Sequence, residues 1–268
     1  MIELAPHHKY GLPLPRPVMP AAGVFGYGEA YRDLVEYERL GAVVTHPVSL
    51  RSRRAARGPR SAAHGEQLLV HTGLPNPGLK RVLREQSALW ARLPVPVILH
   101  LIATTPDEVA RAAERLGGAR NVLGLELGLD DGTPVGEALA LLDAARAGGL
   151  PVIVRLPFDG VERLALPLAD AGADALTLTA PPRARLPLAD AGELLRGRLY
   201  GRGLLPLLLH RLATWAPRLS VPLIAAGGIA TPEEARACLA LGAAALQIDA
   251  LLWRNPRLIT DIAKELET

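Results

Sequence analysis

Short β-prone apolar runs alternate along this chain with longer stretches whose apolar positions recur at helical spacing, the pattern of parallel strand–helix units. The runs occupy residues 17–23, 42–48, 95–102, 122–129, 150–157, 173–180, 221–228 and 243–250, eight in all. Each is followed by a helix candidate. Two of these open on Thr105-Pro106-Asp107-Glu108 and Thr231-Pro232-Glu233-Glu234, which place a capping hydroxyl, a proline at the first helical position and acids in the first turn. The passage from helix back to strand repeats as ERLGAVV, ARAGGLPVIV, ADAGADALTL and LALGAAALQI. A glycine helix stop feeding an apolar strand over and over is a repeated unit, and eight units predict one closed (β/α)8 TIM barrel over residues 1–268.

Three segments fall outside the repeat. Residues 1–16 predict a short N-terminal β-hairpin closing the barrel bottom. Residues 49–80 and 181–202, rich in Gly, Pro and Arg, predict excursions over the barrel mouth, where long insertions tend to carry binding function.

Composition narrows the function classes. The chain has 268 residues, 49% hydrophobic and 21% charged, with a net charge of +3, so a large core is expected and no nucleic-acid footprint is indicated. The arginine-rich stretch LRSRRAARGPR reads as a solvated loop before it reads as an anion or partner site. One cysteine, Cys238, excludes a disulfide framework and a cysteine metal site. The opening MIELAPHHKYG breaks at Pro6, so a leader and a membrane anchor are not expected, and the location is expected to be cytoplasmic.

In a barrel of this kind, chemistry gathers at the carboxyl ends of the strands. In chain order these ends carry Gly23, His46, His100, Asp130 with Asp131, Arg155, Thr177 with Thr179, Gly227 with Gly228, and Asp249. The Gly227–Gly228 pair before a capped helix suits a phosphate, and is equally a tight strand-to-helix turn. His46, His100 and Asp131 could serve as catalytic acids or bases, as ligands of a divalent metal, or as hydrogen-bonded lining; no spaced metal motif joins them, and no metal is expected. Arg155 could hold an anionic group or the electron-rich edge of a cofactor, or simply pair with Glu126.

The phrases PVMPAAGVFGYGEAY, LGAVVTHPVSL, GLPNPGL, VPLIAAGGIATPEEA and GAAALQIDALLW together resemble the soluble class 1 dihydroorotate dehydrogenases, in order along almost the whole chain. The resemblance implies an FMN-binding barrel that oxidises a small molecule, pairs as a homodimer and in some members recruits an electron-transfer subunit. It places the flavin against Ala21, Ala22, Gly23, His46, Arg155, Thr179, Gly201, Gly227 and Gly228.

The departures are systematic. The lysine of the family's second strand is His46, and its fourth-strand phrase Asn-Ile-Ser-Cys-Pro-Asn reads Gly128, Leu129, Asp130, Asp131, Gly132, Thr133. Asp131 thus stands at the catalytic cysteine and Gly128 at a substrate-gripping asparagine. Further asparagines are replaced by Val70 and Ala180, and the Gly-Thr closing the eighth strand by Asp249 and Ala250. A carboxylate beside a phosphate is repulsive unless Arg202 or another cation offsets it.

The expectation is an FMN-dependent oxidoreductase acting on a small substrate other than dihydroorotate, with Asp131, His46 or His100 moving the proton. The alternatives are a catalytically degenerate barrel with a structural or regulatory role, and a metal-assisted hydrolase or lyase using His46, His100 and Asp131.

Overall fold

The computed structural model describes residues 1–187 and 194–267. Eight parallel staves form one sheet: β1 (Val18–Pro20), β2 (Val43–Val44), β3 (Val97–Ile102), β4 (Val122–Gly128), β5 (Val152–Arg155), β6 (Ala175–Leu178), β7 (Leu223–Ala226) and β8 (Ala243–Ile248). The hydrogen-bonded order runs β1-β8-β7-β6-β5-β4-β3-β2, so the first and second staves meet where the barrel closes. At that seam the Gly41 N–H donates to the Val18 carbonyl at 2.7 Å. Gly41 is required there, since a Cβ would lie 2.1 Å from the Arg16 carbonyl oxygen.

All eight expected runs become staves, each shorter than its apolar stretch. The outer layer holds seven α-helices among the described residues: α1 (Leu79–Trp90), α2 (Pro106–Glu114), α3 (Val135–Arg146), α4 (Val161–Asp170), α5 (Leu205–Trp215), α6 (Pro232–Ala240) and α7 (Leu258–Glu265). Thr105 and Thr231 cap α2 and α6, their side chains accepting from the N–H groups of Glu108 and Glu234. The helix expected after β1 is missing: Gly26 and Gly28, both with positive φ, break residues 24–36 into turns that end in a 3-10 turn at Tyr37–Arg39.

The N-terminal hairpin pairs Ile2–Glu3 with Pro13–Leu14. Its Leu4, Leu12 and Leu14 are fully buried among Met19, Val44, Ile98, Ile153, Ala175, Ile224 and Ala245, one from nearly every stave. Side chains two residues apart on a stave share a face, so these residues form the lowest interior layer and the hairpin plugs it.

The two excursions assemble on each other, which patterning within either one could not reveal. Ser61–His64 and Gln67–Val70 form a hairpin, Arg183–Pro187 pairs with Leu194–Tyr200, and Gln67–Val70 pairs with Leu194–Tyr200, giving a four-stranded antiparallel sheet. The part of the second excursion at 188–193 lies outside the described residues. Gly197 permits the join, because a Cβ there would meet the Val70 carbonyl oxygen at 2.6 Å. Asn76 of GLPNPG pins the first excursion to the barrel: it is buried, and its Oδ1 accepts from the N–H groups of Ser49 and Gly78. No helix among the described residues is long and apolar enough to cross a membrane.

Candidate active site

One step up the staves from the apolar layer, the interior turns polar. Advancing two residues from Ile98, Gly124, Ile153, Ala175 and Ala245 gives His100, Glu126, Arg155, Thr177 and Gln247, all buried. Glu126 is the hub. Its Oε2 accepts from His100 Nδ1 at 2.6 Å, and its Oε1 accepts from the Thr177 hydroxyl at 2.8 Å and from Gln247 Nε2 at 2.7 Å. Arg155 donates to Gln247 Oε1 at 2.6 Å and to the Thr179 carbonyl at 3.4 Å, with its guanidinium 3.9 Å from Glu126. The Arg155–Glu126 pairing weighed from the sequence is therefore present but secondary, and Gln247 is the guanidinium's closest partner.

A fully buried carboxylate is costly unless charge and hydrogen bonds offset its lost hydration. Burial pushes the Glu126 carboxyl up, but His100, Arg155 and Gln247 more than reverse this, and its pKa falls to about 2. With Glu126 ionised, His100 Nδ1 must be the donor, which leaves Nε2 as the ring's other polar atom. No hydrogen bond engages that Nε2 among the described residues. It lies over Gly128, where a Cβ would be 2.6 Å away. The imidazole thus fills the volume that any side chain at 128 would need, and a carboxylate-oriented histidine keeps an unpaired nitrogen beside Gly128.

His46 has a different setting. Its Nε2 lies 3.0 Å from the Pro75 carbonyl, which can only accept, and its ring meets Tyr27 edge-on. Burial moves its pKa down from 6.5, partly opposed by the Pro75 hydrogen bond, so the ring is neutral at pH 7. His46 ties the first excursion to the end of β2, with Nδ1 turned toward Gly23.

Asp131 lies beyond β4, in the turn of residues 130–133. It is bound by two guanidinium groups from the mouth sheet: Arg183, whose Nη2 also reaches Asp130 at 3.1 Å, and Arg198 at 2.6 Å. Burial raises its carboxyl pKa, but the hydrogen bonds and charges of Arg198 and Arg183 bring it below the usual value. The geometry is that of a clasp between the β4 turn and the excursion sheet. Replacing Asp131 with Asn is expected to cost at most about 1 kcal/mol, since the pair is partly exposed, and to speed proteolysis within the excursion strands; urea denaturation and limited proteolysis measure both. Lost turnover with unchanged proteolysis would instead mark Asp131 as a base.

His46, His100 and Asp131 therefore each have a separate partner, and no group of three or more His, Cys, Asp or Glu positioned for a metal occurs among the described residues. Cys238 cannot stand in for a cysteine base: it is buried on α6, and burial pushes its thiol up to about 12.

The remaining residues that the family resemblance sets against a flavin lie at or against the ends of neighbouring staves. The Ala21 N–H bonds the Ile248 carbonyl at 2.8 Å, and Gly23 has a φ of 90° with no atom closer than 3.6 Å to a Cβ there. Thr179 is buried beside Arg155, and Gly227 has a φ of 123° with open space where a side chain would project. Gly201 and Gly228 pack together, since a Cβ on Gly228 would be 3.1 Å from the Gly201 carbonyl oxygen. Arg155, Thr179, Gly227 and Asp249 also border a cavity of about 10 Å³, room for about one water.

Sequence reasoning placed His100 and Arg155 at the mouth but missed Glu126 as hub and Gln247 as bridge. The signal was available: charged or amide residues in otherwise apolar runs, LELG and ALQI, two residues above the apolar layer.

This architecture matches known proteins. A family model described as Dihydroorotate dehydrogenase matches residues 7–130. The catalytic subunit of dihydroorotate dehydrogenase B (NAD(+)) from Pelobacter propionicus is 33% identical, covering 96% of this chain and 90% of that protein. Dihydroorotate dehydrogenase A (fumarate) from Lacticaseibacillus paracasei is 34% identical over 96% of this chain and 94% of its own length. The chain belongs to the dihydroorotate dehydrogenase family. The fold agrees: the Eimeria tenella enzyme crystallised with ferulenol superposes with a TM-score of 0.77 at 18% identity, covering 93% of this chain and 80% of that one.

Proposed function

We propose that this family member is a flavin-dependent oxidoreductase acting at the barrel mouth on a small substrate other than dihydroorotate, with His100 as the group that moves the proton. The observation that carries this reading is the Glu126–His100 pair, a buried carboxylate holding Nδ1 at 2.6 Å while Nε2 is left free. Glu126 sets the tautomer and stabilises the imidazolium formed when Nε2 takes a proton, the orienting role a carboxylate plays toward a catalytic histidine. Asp131 is the weaker candidate because two guanidinium groups already hold it. The change of substrate is supported by Gly128, Asp131, Val70 and Ala180 at positions where the family resemblance calls for hydrogen-bonding groups or a thiol. A site that loses partners for substrate N–H and C=O groups loses orders of magnitude in specificity.

Several groups at the ring end of the mouth suit a flavin. Gly23 and Gly227 leave open surface for a flat heterocycle, and Arg155 supplies a buried positive charge of the kind that tunes a flavin's pyrimidine edge. A flavin bound there would supply the hydride acceptor. The end expected to hold a phosphate does not fit one, because Asp249 bonds to its N–H groups. That relatives are named catalytic subunits supports a partner subunit for this chain as well.

The purified protein is expected to carry or take up a flavin, read as absorbance in the flavin bands that persists through gel filtration, and dihydroorotate is expected to leave those bands unbleached under anaerobic conditions. A protein that stays colourless with added flavin would remove the redox reading and leave a structural or regulatory barrel. Rapid bleaching by dihydroorotate would remove the change of substrate.

A further inference from the structure

The strand-to-helix turn at Gly227–Gly228 and the end of β8 converge on a pair of backbone donors, the Gly228 and Leu251 N–H groups, of the kind that suits an anion. In this chain both are taken. The Gly228 N–H donates to Asp249 Oδ2 at 3.3 Å and the Leu251 N–H donates to Asp249 Oδ1 at 3.3 Å, and Asp249 is only 3% exposed. One carboxylate thus spans the donors as two oxygens of a phosphate would.

Two neighbouring donors are filled in the same way. The Ala230 N–H donates to Glu234 Oε2 at 2.7 Å, and the Glu234 N–H to the Thr231 hydroxyl at 3.2 Å. The cation that could have offset an added phosphate is committed elsewhere, since Arg202 pairs with Glu234 at 2.9 Å. Arg155 is held by Gln247 and the Thr179 carbonyl. Backbone crowds Gly228 itself: a Cβ there would sit 2.7 Å from the Leu205 nitrogen and 3.2 Å from the Arg202 carbonyl oxygen.

We infer that Asp249 takes the place of the ligand's phosphate, so that the mouth selects a flavin with an uncharged, hydroxylated tail, riboflavin, over FMN. Burial raises the Asp249 carboxyl's pKa, while its two backbone hydrogen bonds and the Arg155 charge lower it; ionised, the carboxylate repels a second anion, and in either form it occupies both N–H groups. Hydroxyl groups, by contrast, can donate to the carboxylate's remaining lone pairs. This inference rests on the flavin reading given above and adds the chemical class of the tail.

The test compares riboflavin, FMN and inorganic phosphate on the full chain and on Asp249→Gly, which frees both N–H groups. Fluorescence quenching reports the flavins, and melting temperature reports phosphate. The unaltered protein is expected to bind riboflavin at least as tightly as FMN, and Asp249→Gly to shift the preference toward FMN by at least about tenfold with little change for riboflavin. Asp249→Asn, which keeps an acceptor but not the charge, is expected to shift it in the same direction by less, and serves if the glycine variant does not fold.

A tenfold preference of the unaltered protein for FMN, or a preference unmoved in both variants, overturns the inference. If no form binds either flavin, phosphate separates the two failures. Phosphate raising the melting temperature of Asp249→Gly alone sinks the flavin reading but upholds the exchange of carboxylate for phosphate. Phosphate stabilising neither form, or both, sinks the exchange too.

Discussion

Replacing Glu126 with leucine is expected to lower the unfolding free energy by about 3–5 kcal/mol, the range for removing one partner of a buried charged network. The cause is what remains. His100 Nδ1, the Thr177 hydroxyl and Gln247 Nε2 all lose their acceptor at once, and Arg155 loses the buried negative charge 3.9 Å away. Glu126→Gln, which keeps one carbonyl oxygen, is expected to lose less. The same carboxyl predicts a pH signature. Its pKa is about 2 against an ordinary 4.5, so the depressed value contributes stability that is fully present above about pH 4.5 and is lost as pH falls toward 2. Urea midpoints across that window should fall less steeply for Glu126→Leu than for the unaltered chain. A loss under about 1 kcal/mol, or equal acid slopes, would show that the hub does not hold the barrel's polar layer together.

Putting asparagine back at Gly128 is expected to cost about 1–3 kcal/mol, because it overpacks a filled site. A Cβ there lies 2.6 Å from His100 Nε2 and 2.8 Å from its Cε1. His100→Ala alone should also destabilise, since it opens a cavity and leaves Glu126 one donor short. The double variant should be more stable than the sum of the two costs predicts, by roughly 1 kcal/mol or more, because the asparagine enters space the histidine has vacated. Strict additivity in the double-mutant cycle would mean that the two side chains do not compete for one volume. While His100 remains, a side chain at 128 has no room on this side of the stave.

Asp131 shows how position and role separate. Its placement just past the fourth apolar run was legible in the sequence, because the run has the alternation of a strand and the following Gly132 marks a turn. Its partners were not, because Arg183 and Arg198 lie 52 and 67 residues away in an excursion with no repeat pattern. The four glycine-ended passages likewise announced the barrel, whereas pairing between the two excursions depends on hydrogen bonds that leave no periodic trace in either one.

The sequence by itself determined the eight-stave barrel, the N-terminal plug and the ring of residues at the stave ends, since strand and helix periodicity and glycine stops are local properties that add up in one direction. The family resemblance also implies that the cysteine and several asparagines of the pattern are replaced in this chain. Only the tertiary structure decided which of the remaining polar groups is free to act. A side chain's availability depends on which partners the sheet brings within hydrogen-bond reach: neighbouring staves set Glu126 against His100 and Asp249 against Gly228, and the closed barrel sets Gln247 against Arg155, 92 residues away in the chain.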